Sequence, residues 1–316
     1  MSGYANVLGR ADLTDVQVPD QVINEVIQEM PSQSALLSRA RTVRMSSKKS
    51  KQPVLTSLPD AYWVDGDTGL KQTTKSDWEN VTMTAEELAV IVPIPDAVIS
   101  DAGVPLWDMV RPLLVEAIGR KVDEAGIFGV DKPVSWPEAL VPAAVSAGNF
   151  VEDGTGSDFG VDVAELARLV ALDGFAVNGF ASAPGLQWRL VGLRNDGAPI
   201  YTPPQVGLAA APHSGLYGYP LNEVTNGAWD SEDATLLAAD WSKVIVGIRQ
   251  DVTFDLFSEG VLSDSGGKVI LNLMQQDSKA LRVVFRVGFQ VANPLTRIGD
   301  NTRYPAGVIT PAGSGS

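Results

Sequence analysis

The chain offers few side chains that could carry catalysis. Of its 316 residues, one is a histidine, His213, and none is a cysteine. A Ser-His-Asp triad built on His213 would need an exposed serine, but no Gly-x-Ser-x-Gly turn is present to supply one. One histidine without cysteine also excludes the ordinary zinc sites. Because a lone histidine in a proline-rich loop is usually a surface residue, we predict that the protein is not an enzyme.

The glycine-rich segments do not match the loops that hold phosphates. In residues 260–268, Leu262 stands where a P-loop has its first glycine, and Val269 replaces the serine or threonine that would reach magnesium. In residues 154–160, Phe159 takes the place of the third glycine of a dinucleotide fingerprint. Both segments are therefore predicted to be turns, and we predict no cofactor.

Acidic side chains are numerous but do not form a recognisable metal site. Asp65 and Asp67 could contact a cation, yet Gly69 and Leu70 stand where an EF-hand loop has a ligand and its glycine. With 38 acidic residues in the chain, some carboxylates are close together in any fold. Paired carboxylates therefore do not indicate acid–base chemistry here, and we predict no metal site.

Charge is unevenly distributed along the chain. The formal net charge is −14, from 38 acidic and 24 basic residues. An acidic body repels phosphate, which argues against nucleic-acid binding as the main function. Between residues 30 and 59 there are only basic charges, on Arg39, Arg41, Arg44, Lys48, Lys49 and Lys51. This basic stretch could dock onto an acidic surface of a neighbouring copy, contact DNA or form a solvated arm, and we favour docking.

The longest regular elements lie between residues 81 and 125. Apolar residues spaced mostly by two predict a strand that ends near Pro93 and Pro95. From residue 106 the apolar spacing changes to the helical period, which predicts a helix as far as residue 125. Pro112 removes a backbone donor inside this helix and is predicted to be a hinge.

Five blocks of the chain carry a resemblance to a known family. They are residues 85–129 (AEELAVIVPIPDAVISDAGVPLWDMVRPLLVEAIGRKVDEAGIFG), 164–201, 218–224, 237–257 and 279–294. In this order they resemble the major capsid proteins of tailed bacteriophages, which have the HK97-type fold. Leu221 and Ala239 stand where the family usually has valine and glycine. The resemblance implies an α+β fold with an N-terminal arm, an extended β-hairpin (the E-loop), a peripheral domain with a long spine helix, and a central axial domain.

The resemblance also divides the chain into domains. It implies an N-terminal arm at 1–44, the E-loop hairpin at 45–93, the peripheral domain at 94–140 and 268–300, and the axial domain at 141–267 and 301–316. The other periodic segments predict helices at 19–30, 161–172 and 187–193, and strands at 175–178, 243–248, 252–257 and 283–291. Residues 306–316 are small and rich in glycine and serine, and are predicted to be loosely held.

The predicted hairpin carries aromatic residues near its tip, namely Tyr62, Trp63 and Trp78. A two-stranded hairpin is only marginally stable in water, and large exposed rings are better explained by a protein partner than by solvent. We predict that these rings and the basic stretch contact neighbouring subunits. The alternative is that the hairpin folds back on its own body. Pro93 and Pro95 are predicted to form a hinge at the hairpin base.

The function that the resemblance implies is structural. Such subunits assemble into hexamers and pentamers of an icosahedral shell that encloses double-stranded DNA, with a portal and a separate scaffold or decoration protein as further partners. The implied location is the virion capsid, assembled in the bacterial cytoplasm. No signal-peptide pattern and no long apolar run is present, so a membrane location is not expected.

Two other functions stay open at this point. One is an encapsulin-type nanocompartment shell, and the other, from a different class, is a soluble hydrolase or binding module. Some members of the resembled family also join subunits through an isopeptide bond. Here that bond would link Lys71 or Lys75 to Asn293 of a neighbour, but no glutamate follows Glu259 to assist the reaction.

Overall fold

The computed structural model describes most of the chain. The described residues are 34–55, 58–59, 61, 63, 78–101, 106–192, 194–195, 198–199, 215–264, 266–298 and 302–313. The predicted helix at 19–30, most of the hairpin tip and His213 lie outside these ranges. The described part contains two main sheets, one of five strands and one of six.

The helices follow the periodic segments of the sequence. They are α1 (Ala35–Arg39), α2 (Asp96–Asp101), α3 (Leu106–Asp123), α4 (Leu140–Ser146), α5 (Phe159–Leu172) and α6 (Leu186–Gly192). The α3 helix continues into a π-helical turn, Glu124–Phe128, and ends at Gly129, whose φ of 81° is readily adopted by glycine. The predicted helices near 106–125, 161–172 and 187–193 are confirmed, with ends that differ by only a few residues.

The strands are more numerous than predicted. They are β1 (Arg41–Arg44), β2 (Lys49–Leu55), β3 (Trp78–Pro95), β4 (Phe150–Glu152), β5 (Gly179–Ser182), β6 (Arg194–Asn195), β7 (Ala198–Pro199), β8 (Gly215–Leu216), β9 (Tyr219–Glu223), β10 (Leu236–Ala239), β11 (Val244–Phe257), β12 (Val261–Ser263), β13 (Val269–Asn272), β14 (Ser278–Val291) and β15 (Ala306–Thr310). The strand predicted at 175–178 is found at 179–182 instead. Phe175 and Val177 are buried all the same, which explains the apolar pattern there.

The five-stranded sheet has the order β1-β11-β14-β3-β2. Its pairs are antiparallel except β1 with β11. The two strands predicted at 243–248 and 252–257 form one strand, β11, because irregular register between Ile248 and Thr253 breaks the alternation without ending the pairing. β11 is thus paired on both sides within the five-stranded sheet, although the sequence-based division placed its residues, 244–257, in the axial domain.

The six-stranded sheet has the order β4-β15-β10-β5-β9-β8. Its second strand, β15, is parallel to β4 and antiparallel to β10. All five residues of β15 are buried. The prediction that the chain end from residue 306 is loosely held is therefore wrong for residues 306–310.

A helix packs on each sheet. Val115, Ile118 and Val122 of α3 belong to one buried cluster with Phe285 and Phe289 of the five-stranded sheet. On the six-stranded sheet, the corresponding side chains of α5 are Val163, Leu166 and Val170. These apolar stripes recur at the helical period, so burial of the same face fixes the orientation of each helix.

The hairpin leaves the body of the protein at the outer edge of the five-stranded sheet. β3 pairs with β14 from Ala85 to Pro95 and with β2 from Trp78 to Thr84. The two-stranded arm is therefore formed by residues 49–55 and 78–84. Pro93 and Pro95 lie inside the ladder with β14 and not at the base of this arm.

Candidate inter-subunit contact surfaces

The two-stranded arm and the connection between its strands place polar and aromatic side chains in solvent. Trp63, in the connection between β2 and β3, is 100% exposed. Tyr62 and the side chain of Trp78 lie outside the described residues. One contact joins the arm's connection to the body of its own chain, since the Arg297 guanidinium donates a hydrogen bond to the carbonyl oxygen of Pro59.

Part of the basic stretch has found acidic partners within the chain. The Arg44 guanidinium lies 3.1 Å from an Asp251 carboxylate oxygen, and the Lys48 ammonium lies 3.2 Å from Glu86. These are exposed pairs, which contribute little to stability. The two other lysines of the stretch, Lys49 and Lys51, are exposed on β2.

The remaining two basic residues lie beside a cavity at the end of α1. Arg39 is half-buried and Arg41 is exposed. The cavity has a volume of about 390 Å³ and lies between these arginines and the segment that follows β10. Burial lowers the pKa of the Arg39 guanidinium.

A buried carboxylate, which sequence reasoning missed, anchors the N-terminal arm to the end of α3. Asp123 is fully buried. Its oxygens accept hydrogen bonds from Ser34 Oγ (2.7 Å), from the backbone N–H groups of Ala35 (3.0 Å) and Leu36 (2.9 Å), and from Asn226 Nδ2 (2.8 Å). Burial raises the pKa of the Asp123 carboxyl, and these hydrogen bonds oppose the rise. The one feature of the sequence that could have indicated this buried carboxylate is that Asp123 directly follows Val122, a residue of the apolar stripe of α3.

A second feature missed from sequence is an apolar patch on the hairpin formed by β12 and β13. Val261, Val269 and Met274 are more than half exposed, and Ile270 is nearly so. Exposed apolar groups that lie close together often mark a protein contact. The turn in this hairpin, at residues 264–267, is fixed by Asp264, which accepts hydrogen bonds from the backbone of Gly266 and Lys268. The segment rejected as a P-loop therefore contains this turn.

The described residues contain no cluster of three or more His, Cys, Asp or Glu side chains arranged to hold a metal ion. Asn293, the residue considered for crosslinking, donates its side-chain amide to the carbonyl oxygen of Arg303 at 2.8 Å. Lys71 and Lys75 lie outside the described residues. Within the described part, no helix is both long enough and apolar enough to cross a bilayer.

Comparison with known proteins agrees with this architecture. The sequence matches the phage capsid family over residues 14–295. It is 25% identical over 293 residues to the major capsid protein of Staphylococcus phage 80alpha, and the matched region covers 88% of this chain and 83% of that protein. A solved structure from Microbacterium phage Oxtober96 is 40% identical, with a TM-score of 0.78 over 96% of this chain and 99% of that one. Another, from Mycobacterium phage Adephagia, is 35% identical, with a TM-score of 0.76 over 88% and 90%. This chain therefore belongs to the phage capsid family, with the HK97-type α+β fold.

Proposed function

We propose that this protein is the major subunit of an icosahedral capsid. It assembles into hexamers and pentamers, and the resulting shell encloses double-stranded DNA. Its role is structural and not enzymatic. It is located in the virion capsid after assembly in the bacterial cytoplasm. Its further partners are a portal and a separate scaffold or decoration protein. The comparisons do not favour the nanocompartment alternative.

The observation that carries this proposal is the two-stranded arm at the edge of the five-stranded sheet. Half of its described side chains are exposed, including Lys51, Pro53 and Asn80, and Trp63 beyond it is fully exposed. An edge strand also leaves one row of backbone donors and acceptors without strand partners. A subunit that contacts several copies through such an arm gains strong attachment from modest contacts.

Electron microscopy of the purified protein, together with sedimentation velocity, tests the proposal. We expect rings or closed shells, alone or after co-expression with the phage's scaffold protein. A sample that sediments only as a monomer at high concentration under both conditions would contradict a shell function.

We further propose a domain division that moves β11 to the peripheral domain. The arm (1–44) and the hairpin (45–93) are kept as predicted from sequence. The peripheral domain contains 94–140 and 268–300 together with β11, and the axial domain contains the rest of 141–267 and 301–316. The bend at the hairpin base is better placed at Thr84 and Ala85, where β3 changes partner from β2 to β14, than at Pro93 and Pro95.

Replacement of Pro112 by alanine tests the hinge in α3. Pro112 lies inside this helix and has no N–H to donate to the preceding turn. An alanine at an interior helix position is favoured over proline by about 3 kcal/mol. We therefore expect Pro112→Ala to raise the free energy of unfolding, straighten α3 and change the size distribution or yield of particles in electron micrographs.

Glu116→Ala is the matched control, because Glu116 is an exposed residue of the same helix. It is expected to leave particle size unchanged. Particles of unchanged size and yield from Pro112→Ala would exclude a hinge function for the proline.

A further inference from the structure

The structure separates the basic stretch into residues with and without partners. Arg44 and Lys48 are paired with Asp251 and Glu86 of the same chain. Neither Arg39 nor Arg41 has a hydrogen bond or an ion pair to a described residue. A half-buried guanidinium such as that of Arg39 loses hydration without gaining an acceptor, which is unfavourable unless an anion is supplied from elsewhere.

The cavity beside these arginines can receive such an anion. Its lining is formed by Ser38, Arg39, Arg41, Asn178, Trp241 and Ser242. The amide of Asn178 and the hydroxyl of Ser242 already donate to one oxygen of Asp240, at 3.1 and 2.6 Å. The hydroxyl of Ser38 donates to the carbonyl oxygen of Ala35. The lining donors without a partner among the described residues are therefore the two guanidinium groups and the indole Nε1 of Trp241. Two guanidinium groups beside one cavity suit a carboxylate, which arginine binds through two parallel hydrogen bonds.

A matching group of carboxylates lies elsewhere on the surface of the same chain. The turn before β10, residues 230–233, carries Asp230, Glu232 and Asp233, and all three are exposed. Asp230 accepts a hydrogen bond from the backbone N–H of Glu232 at 2.9 Å, which fixes the turn. None of the three carboxylates has an ion-pair partner within the described part of the chain.

The two surfaces lie at opposite ends of one strand. Two residues separate the acidic turn from the start of β10, whereas Trp241 and Ser242, beside the arginines, follow the end of β10 after one residue, Asp240. β10 is hydrogen-bonded to β5 and β15, which fixes the positions of its two ends, and within the described part of the chain neither arginine is paired with the turn of its own copy. A neighbouring copy can bring its turn to the cavity in a head-to-tail contact, which is the geometry that closes a ring.

We propose that the cavity at Arg39 and Arg41 binds the acidic turn at residues 230–233 of an adjacent copy. This contact rests on the proposed capsid function and names two surfaces that meet when subunits assemble. Because both surfaces are present on every copy, the contact repeats around the axis of a capsomer. Each contact joins two arginines to carboxylates of a fixed turn.

Charge reversal on each side, followed by combination of the two reversals, tests the contact. Arg39→Glu with Arg41→Glu places like charges together, and particle yield is expected to fall about tenfold, the effect of 1.4 kcal/mol lost per contact. Glu232→Arg with Asp233→Arg should cause a similar loss. Asp230 is left unchanged because its side chain holds the turn. The chain that carries all four substitutions restores the opposite charges and is expected to recover most of the yield.

The control keeps the change in net charge but moves it elsewhere. Arg249→Glu with Lys268→Glu alters two exposed basic residues that belong neither to the cavity lining nor to the acidic turn, and this variant is expected to assemble normally. Circular dichroism of each unassembled variant shows whether it is folded, and the turn variant changes only exposed side chains. Normal assembly of either charge-reversed variant overturns the proposed contact. Failure of the variant with all four substitutions to recover the particle yield overturns it as well. Absence of particles from the unaltered chain contradicts the capsid function itself and not this contact.

Discussion

A chain that ends after Tyr304 is expected not to fold its six-stranded sheet. Such a chain lacks β15, which lies between β4 and β10 and is hydrogen-bonded to both. Val308 and Ile309 are fully buried, and each contributes about 2 kcal/mol through burial. When the lost hydrogen bonds to β4 and β10 are added, this loss approaches the total stability of a domain, which is about 5–15 kcal/mol.

The close packing of α5 on β15 makes compensation by another segment difficult. A Cβ atom on Gly307 would lie 2.8 Å from a terminal methyl carbon of Leu166, so the helix rests almost directly on the strand backbone. Asn149 further ties β4 to this strand, because its side-chain amide donates to the carbonyl oxygens of Tyr304 and Ala306. Loss of the strand would therefore expose the face of α5 and the edges of both neighbours.

The matched control is a chain that ends after Pro311. It keeps all of β15 and removes only the five residues that follow, of which Ala312 and Gly313 are exposed. We expect this chain to express and unfold in urea like the full chain. The shorter chain is expected in the insoluble fraction, or soluble with reduced strand signal in circular dichroism. A soluble shorter chain with an unchanged urea midpoint would show that β15 is dispensable.

The comparison between sequence and structure at this strand shows what local patterns can reveal. The spine helix and β3 were predictable because a long apolar periodicity is visible in the sequence without knowledge of the segment that it packs against. The five residues of β15 are too few for such a period and are flanked by Pro305 and Pro311. Their burial is imposed by β4 and β10, which are distant in sequence, so composition alone indicated a loose tail.

The candidate contact sites show the same limit. The sequence indicated a basic stretch as a whole, because charge is visible residue by residue. It could not indicate that Arg44 and Lys48 are paired with acids of the same chain, while Arg39 has no acidic partner among the residues that the structure describes. That distinction depends on Asp251 and Glu86, which reach the stretch only through the sheet.

Substitution of Asp123 by alanine is expected to detach the N-terminal arm and to destabilise the subunit by about 3 kcal/mol. Ser34 Oγ and the N–H groups of Ala35 and Leu36, all buried in the folded chain, would lose their acceptor, as would the amide of Asn226. Urea unfolding of the unassembled subunit measures the loss. Asp123→Asn retains one acceptor oxygen and avoids the cost of burying a charge, so its loss should be smaller.

Limited proteolysis separates detachment of the arm from general loss of stability. The α1 helix is only five residues long, and such a helix is not stable without external contacts. Because Asp123 binds the first turn of α1, its loss should expose the bonds after Arg39 and Arg41 to trypsin before the sheets unfold. Glu116→Ala, an exposed change on the same helix as Asp123, should leave both the urea midpoint and the cleavage rate unchanged. Rapid cleavage in Asp123→Ala under conditions where circular dichroism is still native means that the carboxylate holds the arm specifically. Unaltered cleavage and stability would mean that apolar contacts such as those of Leu36 hold the arm without it.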